Sequence, residues 1–85
     1  MPALHDAIGD LGRAIRDARR AAGLNQADLA EQLEVSQGTV SRWESRRQLP
    51  EARLMGVLVE RFGIEPALYF RAAAVDQGVD ADTGW

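Results

Sequence analysis

Residues 26–44 read QADLAEQLEVSQGTVSRWE, and this stretch decides the fold. Its first part carries apolar residues at the spacing of one helical face, which predicts a helix from about Gln26 to Leu33. After a short turn, Ser36 is a residue type that caps helix N-termini, and a second helix is predicted to continue to about Ser45. The sequence therefore predicts two short helices that follow each other across a tight turn.

Capping and core residues indicate how the two predicted helices begin and how they pack together. Asn25 and Asp28 resemble a capping box at the start of the first helix. Ala30 lies where the two helices are expected to cross, and a larger side chain there would push them apart. Val40 and Trp43, three residues apart, are expected to anchor the second helix to the core. Two helices joined in this way form a helix-turn-helix.

The outward face of the second helix is polar and free of acids. On a helical wheel, this face contains Gln37, Gly38, Ser41, Arg42 and Ser45. Without Asp or Glu it can approach phosphates and base edges without charge repulsion. Gln pairs bidentately with adenine and Arg with guanine, and each such pair discriminates by roughly 1–3 kcal/mol. We therefore expect the helix that begins near Ser36 to enter the major groove of DNA.

The rest of the chain is also helical in pattern, without repeats or strand-like alternation. Helix one is predicted from Asp10 to just before Gly23, helix four between Pro50 and Gly63, and helix five over about 66–75. The expected fold class is all-α, with five short helices. The expected divisions are an N-terminal extension, 1–9, a DNA-binding domain, 10–75, and a flexible acidic tail, 76–85.

Composition excludes several classes of function. The 85 residues are 46% hydrophobic and 27% charged, which is ordinary for one small globular domain. There is no cysteine and a single histidine, so a disulfide framework, a zinc finger and a histidine metal cluster are not expected. We predict that the protein is not an enzyme, that it has no catalytic residue, and that it binds no metal and no cofactor. No apolar run approaches the roughly 18 residues of a membrane span, so a cytoplasmic location is expected.

The charge balance is acidic overall but uneven along the chain. Ten Arg against thirteen acids give a net charge of −3, whereas nucleic-acid binders are usually basic. Residues 36–53 hold four Arg against two Glu, a local charge of +2. Residues 54–85 hold two Arg against five acids, a local charge of −3. The acidity therefore lies mostly away from the basic cluster.

Together these residues resemble a known family. GLNQADLAEQLEVSQGTVSRWE over 23–44, followed by Pro50, is similar to the Cro and phage-repressor type of helix-turn-helix, the Xre family. The resemblance covers about residues 8–70. It implies a compact five-helix, lambda-repressor-like DNA-binding domain, with the helix-turn-helix formed by helices 2 and 3. It also implies a prokaryotic or phage-encoded protein that is nucleoid-associated when bound.

The resemblance implies a role for each matching position. Gln26 would hydrogen-bond a phosphate and brace the second helix of the motif. The groove-facing positions would be Ser36, Gln37, Gly38 and Arg42, with Gln37 and Arg42 as the base readers. Phosphate or thymine-methyl contacts would come from Thr39 and Ser41, and backbone contacts from the loop residues Arg46 and Arg47. A partly buried salt bridge between Arg19 and Glu44 would join helix one to helix three.

Three positions depart from the family pattern. Glu34 occupies the place in the turn where the family often has a left-handed Gly, so strain or an adjusted geometry is expected there. Arg46 occupies a loop position that often holds Gly or Asn. Gly38 removes a side chain from a position that many relatives use for readout, and so leaves a gap between Gln37 and Arg42.

Helix five is apolar on more than one face, which suggests a partner surface. Leu68, Tyr69 and Ala73 are assigned to a dimer interface, because the resemblance implies dimerisation through this end; extra packing against helix one is the alternative. The predicted function is a sequence-specific repressor or controller that binds a pseudo-palindromic operator as a homodimer. An antitoxin, or a protein-interaction module with DNA binding secondary or lost, is the second hypothesis. A toxin or an anti-repressor would then be a protein partner.

Overall fold

The computed structural model describes residues 6–76, which form five α-helices and, within that range, no strand. The helices are α1 Ala7–Ala21, α2 Gln26–Leu33, α3 Gln37–Glu44, α4 Ala52–Phe62 and α5 Pro66–Asp76. The prediction of an all-α, five-helix fold with a helix-turn-helix formed by the second and third helices is confirmed. Apart from Asp76, the tail predicted at 76–85 lies outside the described residues.

The two helices of the motif begin at side-chain caps. Asn25 Oδ1 accepts a hydrogen bond from the backbone N–H of Asp28 at 2.7 Å, and the Asn25 N–H donates to the Asp28 carboxylate at 3.0 Å. At α3, Ser36 Oγ accepts from the Thr39 N–H at 3.1 Å. These bonds satisfy backbone donors that have no partner inside the helix, so the sequence fixes both starting points locally.

Helix α1 begins at Ala7, three residues before the Asp10 start that the sequence pattern predicted. Ala7 and Gly9 are buried, so this first turn packs on the domain, and the Asp10 N–H donates to the Asp6 carbonyl at 2.7 Å. The patterning of residues 1–9 left open whether they fray or extend helix one, and the structure shows that Ala7, Ile8 and Gly9 extend it, with Ala7 and Ile8 four and three residues before Leu11.

Trp43 lies at the centre of the core, as predicted, with only 2% of its surface exposed. The other large side chains that are fully buried are Leu11, Ile15, Leu29, Val40 and Leu58. Gly12 lets α1 approach α3 closely, because a Cβ on Gly12 would lie 2.6 Å from the Trp43 carbonyl oxygen. The position of α3 is therefore set by contact with α1 as well as by α2.

Helix α5 packs mainly against α1, which was the alternative to a partner surface. Ala72 is fully buried there, while Leu68, Tyr69 and Ala73 are half-buried. Among residues 6–76, the large apolar side chain that remains exposed is Phe70, with 68% of its surface accessible. None of the helices within residues 6–76 is long and apolar enough to cross a membrane.

The motif contains a left-handed residue on each side of α3. Glu34 ends α2 with φ 59°, and Arg46 follows α3 with φ 71°. These are two of the three positions at which the sequence departs from the family pattern. A non-glycine residue in this region is strained by about 1–2 kcal/mol, so both turns keep their geometry at a cost in stability.

Candidate nucleic-acid interface

The inner side of α3 ends in a buried ion pair. Arg19 Nε donates to Glu44 Oε2 at 2.7 Å and Arg19 Nη2 donates to Oε1 at 3.0 Å, so the pair is bidentate. Only 9% of the Arg19 side chain and 6% of the Glu44 side chain are exposed. Arg19 Nη1 also donates to the Leu24 carbonyl at 3.0 Å. The family-implied link between helix one and helix three is therefore present in the structure.

Gln26 belongs to the same buried group. Its Nε2 donates to Glu44 Oε1 at 3.0 Å, a bond that the sequence did not predict. This bond uses one of the two N–H donors of the Gln26 amide and braces the end of α3, while the phosphate contact that the resemblance implies stays a prediction. The first residue of α2 is thus joined to the last residue of α3.

These contacts set the charge state of Glu44. Burial alone would raise the pKa of the Glu44 carboxyl, but the hydrogen bonds from Arg19 and Gln26 outweigh it and hold that pKa below its ordinary value. The hydrogen bond to Glu44 in turn raises the pKa of the Arg19 guanidinium. Glu44 is the only acid in α3, so its charge is neutralised inside the domain, away from the outer face.

The outer face of α3 brings together the residues predicted to face a groove. Exposed side chains or backbone occur at Ser36, Gln37, Gly38 and Arg42, while Thr39 and Ser41 are half-buried. The hydroxyls of Ser36 and Thr39 are 2.9 Å apart, and Arg42 Nη2 donates to Thr39 Oγ1 at 3.2 Å. Arg42 Nε donates to Gln48 Oε1 at 2.9 Å. A continuous hydrogen-bonded row therefore runs from Ser36 to Gln48.

Gly38 lies under the Arg42 guanidinium. A Cβ on Gly38 would be 3.3 Å from Arg42 Nη1, a tighter contact than most Cβ atoms make. The expected gap between Gln37 and Arg42 is thus occupied by the Arg42 side chain itself. The missing side chain at position 38 makes room for that conformation.

The two loop arginines differ in their surroundings. Arg46 Nη1 lies 3.2 Å from Asp6 Oδ1, and Asp6 also lies 3.6 Å from Arg13 Nη2. Arg47 is exposed and makes no ion pair within residues 6–76. Of the two predicted backbone contacts, Arg47 is therefore the one with an uncommitted charge.

Sequence reasoning missed two residues of this surface, Gln48 and Asp6. Gln48 follows α3 in an irregular connection, where periodicity gives no indication of side-chain direction. Asp6 is forty positions from Arg46, and nothing in a single sequence pairs them. Both contacts depend on the path of the loop after α3.

Comparison with known proteins supports the assignment of the motif. A family model described as a helix-turn-helix domain matches residues 10–69, more than two thirds of the chain. No curated protein and no solved structure gives a significant match. The matched range contains α2, the turn at Glu34 and α3, whose geometry is that of the motif. The chain therefore belongs to the helix-turn-helix domain family.

Proposed function

We propose that this protein is a sequence-specific DNA-binding transcriptional regulator, a repressor or controller, that binds a pseudo-palindromic operator as a homodimer. Helix-turn-helix domains place the second helix of the motif in the major groove, and dimers bind half-sites about 34 Å apart. Here that helix is α3, with Gln37 and Arg42 as base readers. Thr39, Ser41, Arg46 and Arg47 are proposed to contact the sugar-phosphate backbone or thymine methyl groups.

The observation that carries the proposal is the separation of charge across α3. Its one carboxylate is buried and paired with Arg19, while Arg42 is exposed and held only by the uncharged acceptors Thr39 and Gln48. Phosphates and guanine edges are electron-rich, so a face with this charge distribution attracts them despite the net charge of −3.

Selection of bound sequences from a random DNA pool tests the proposal directly. We expect enriched sites with two inverted half-sites whose centres are separated by about 10–10.5 base pairs or a multiple of that distance. Absence of any enriched sequence at low salt would refute sequence-specific binding.

Arg42→Ala tests the reading residue on the selected site. We expect it to weaken specific binding by roughly 1–3 kcal/mol and to relax one base position. Arg61→Ala is the matched control, because Arg61 is an exposed arginine at the end of α4 and its loss changes the net charge equally. Equal losses for the two variants in a mobility-shift titration would show that only overall charge matters.

The proposed homodimer uses α5, and Phe70 supports it together with Leu68, Tyr69 and Ala73. Phe70 stacks edge-on against Tyr69, with ring centroids 5.9 Å apart, beside an apolar groove between α4 and α5. Phe70→Asp is expected to shift sedimentation toward the monomer while the helical circular dichroism spectrum is unchanged. A monomeric wild-type protein at micromolar concentration would contradict the dimer.

The same apolar groove favours the second candidate, an antitoxin or interaction module. It is lined by Ala52, Met55, Gly56, Val59, Pro66, Tyr69 and Phe70. Salt dependence separates the candidates, because a DNA binder loses affinity steeply as salt rises. If no DNA retains the protein even at low salt, the result favours the interaction module.

A further inference from the structure

Arg42 is exposed, yet its side chain is restricted by neighbouring residues. Two of its nitrogens have side-chain acceptors, Gln48 Oε1 at 2.9 Å from Nε and Thr39 Oγ1 at 3.2 Å from Nη2. Its guanidinium lies across Gly38, close enough that a Cβ there would be 3.3 Å from Nη1. Three neighbouring positions therefore restrict the side chain from different sides.

The hydrogen bonds leave a defined set of donors for a ligand. A guanidinium carries five N–H donors in a planar fork. Gln48 and Thr39 take one each, which leaves two on Nη1 and one on Nη2 with no partner among residues 6–76. These remaining donors include the outer edge of the fork, which matches the paired O6 and N7 acceptors of guanine in the major groove.

Gln48 suits this role because its acceptor is uncharged. A carboxylate at this position would hold Arg42 equally well but would cancel its charge, as Glu44 does for Arg19. The amide oxygen fixes the direction of the fork and leaves the positive charge for the ligand. Gln48 itself is exposed and has no other side-chain hydrogen bond in the described structure.

We propose that Gln48 and Gly38 are specificity-determining positioning residues, which together hold the outer edge of the Arg42 guanidinium ready to read one guanine. This inference rests on the proposed function, since it assumes that α3 enters the major groove. Gln48 acts through Arg42 by fixing its Nε. Gly38 acts by leaving the space that the guanidinium occupies.

A double-mutant cycle tests Gln48. Wild type, Gln48→Ala, Arg42→Ala and the double variant are titrated against the selected site and against the same site with the guanine replaced. We expect Gln48→Ala to reduce the preference for guanine by about threefold or more, and to have no further effect when Arg42 is already alanine. A loss of preference that persists in the Arg42→Ala background would overturn the proposal, because Gln48 would then act independently of Arg42.

Gln48→Glu gives a second, independent readout. It keeps an acceptor for Nε but adds a carboxylate, so we expect weaker binding and a shallower salt dependence, because the added negative charge repels the DNA phosphates. Binding and slope equal to those of wild type would contradict the importance of an uncharged acceptor.

Gly38→Ala separates positioning from stability, because the two effects have opposite signs. Alanine is the better helix former, so the melting temperature should rise. The added Cβ crowds Arg42 Nη1, so the preference for guanine should fall. A variant that is more stable and fully selective would overturn the role of Gly38.

The controls distinguish failure of this inference from failure of the proposed function. If the wild-type protein selects no sequence from a random pool, the proposed function fails and the positioning role fails with it. If the wild type is selective and Gln48→Ala is equally selective, only the positioning role fails. Melting curves of every variant establish that each remains folded.

Discussion

Arg19 and Arg42 are both held by side-chain hydrogen bonds, Arg19 to the end of α3 and Arg42 to α3 and the connection after it, yet their surroundings differ in one decisive respect. Arg19 is buried and bound bidentately to the carboxylate of Glu44, and it also donates one hydrogen bond to the Leu24 carbonyl. Arg42 is exposed and bound to the neutral oxygens of Thr39 and Gln48. In the first case the positive charge is cancelled inside the protein, and in the second it remains available outside it.

The comparison shows how an acidic protein can present a basic surface. The buried pair removes the only carboxylate of α3 from the outer face and fixes the helix against α1. The neutral acceptors order Arg42 without reducing its charge. One arginine is therefore part of the packed interior, while the other keeps its charge on the outer face, where we propose that it meets DNA.

Breaking the inner pair should give the largest effect on stability. Arg19→Ala leaves Glu44 buried without its partner, so we expect the free energy of unfolding to fall by about 3–5 kcal/mol in urea titrations. Arg20→Ala is the matched control, because Arg20 is the neighbouring exposed arginine on α1 and should cost about 0.5 kcal/mol or less. Similar losses for both variants would show that the ion pair contributes little.

The outer arginine should show the reverse pattern. Arg42→Ala removes no buried contact, so we expect its free energy of unfolding to stay within about 0.5 kcal/mol of wild type, although DNA selectivity falls. Urea titration of Arg19→Ala and Arg42→Ala side by side measures the difference. If Arg42→Ala unfolded as easily as Arg19→Ala, the division of roles between the two arginines would be wrong.

Acidification should weaken the inner pair selectively. The pKa of Glu44 is lowered in the folded state, so its contribution is fully present above the unfolded-state pKa of about 4.3 and is lost as pH falls through the lower folded value. Unfolding free energies between pH 3 and 7 should therefore drop below about pH 4.3, and Glu44→Gln should flatten that part of the profile. Identical profiles for the two proteins would contradict the ion pair as the source. Arg19 remains protonated throughout this range.

The sequence was sufficient for features that depend on near neighbours. The capping box at Asn25 and the cap at Ser36 use residues three positions apart, and the bounds of α2 were predicted correctly from them. The left-handed geometry at Glu34 is a different case, because it was indicated by the family resemblance, which often has a left-handed Gly at this place in the turn. The hydrogen bonds of helix caps are encoded over a few residues, so a single sequence reveals them.

Contacts that depend on loop paths and side-chain rotamers could not be predicted. The bond from Arg42 to Gln48 requires the connection after α3 to turn back toward the helix. Arg46, with its positive φ, lies in that turn. The packing of α5 on α1 through Ala72 was one of two alternatives, because an alanine-rich face fits either neighbour. Both the Arg42–Gln48 bond and the position of α5 depend on tertiary packing, and the spacing of apolar and polar residues in the sequence does not determine them.

Arg46 is an intermediate case between Arg19 and Arg42, and it provides the smallest of the expected effects. It is exposed like Arg42 but paired with a carboxylate, Asp6, at 3.2 Å. Asp6→Asn should release the Arg46 charge, so we expect a few-fold gain in DNA affinity and a salt dependence steeper by about 1 in slope. Fluorescence anisotropy over a series of salt concentrations measures both quantities.

Asp10→Asn is the matched control for that prediction. Asp10 lies one turn further along α1 and pairs with Arg13 at 3.1 Å, while Arg46 keeps its partner. Both variants remove one negative charge and one partner of Arg13, so only Asp6→Asn changes the state of Arg46. A steeper slope in Asp6→Asn alone would show that Arg46, once released from its carboxylate partner, contacts the phosphates. Equal slopes in both variants would mean that the pairing of Arg46 has no bearing on binding, and that a neutral acceptor matters only at Arg42.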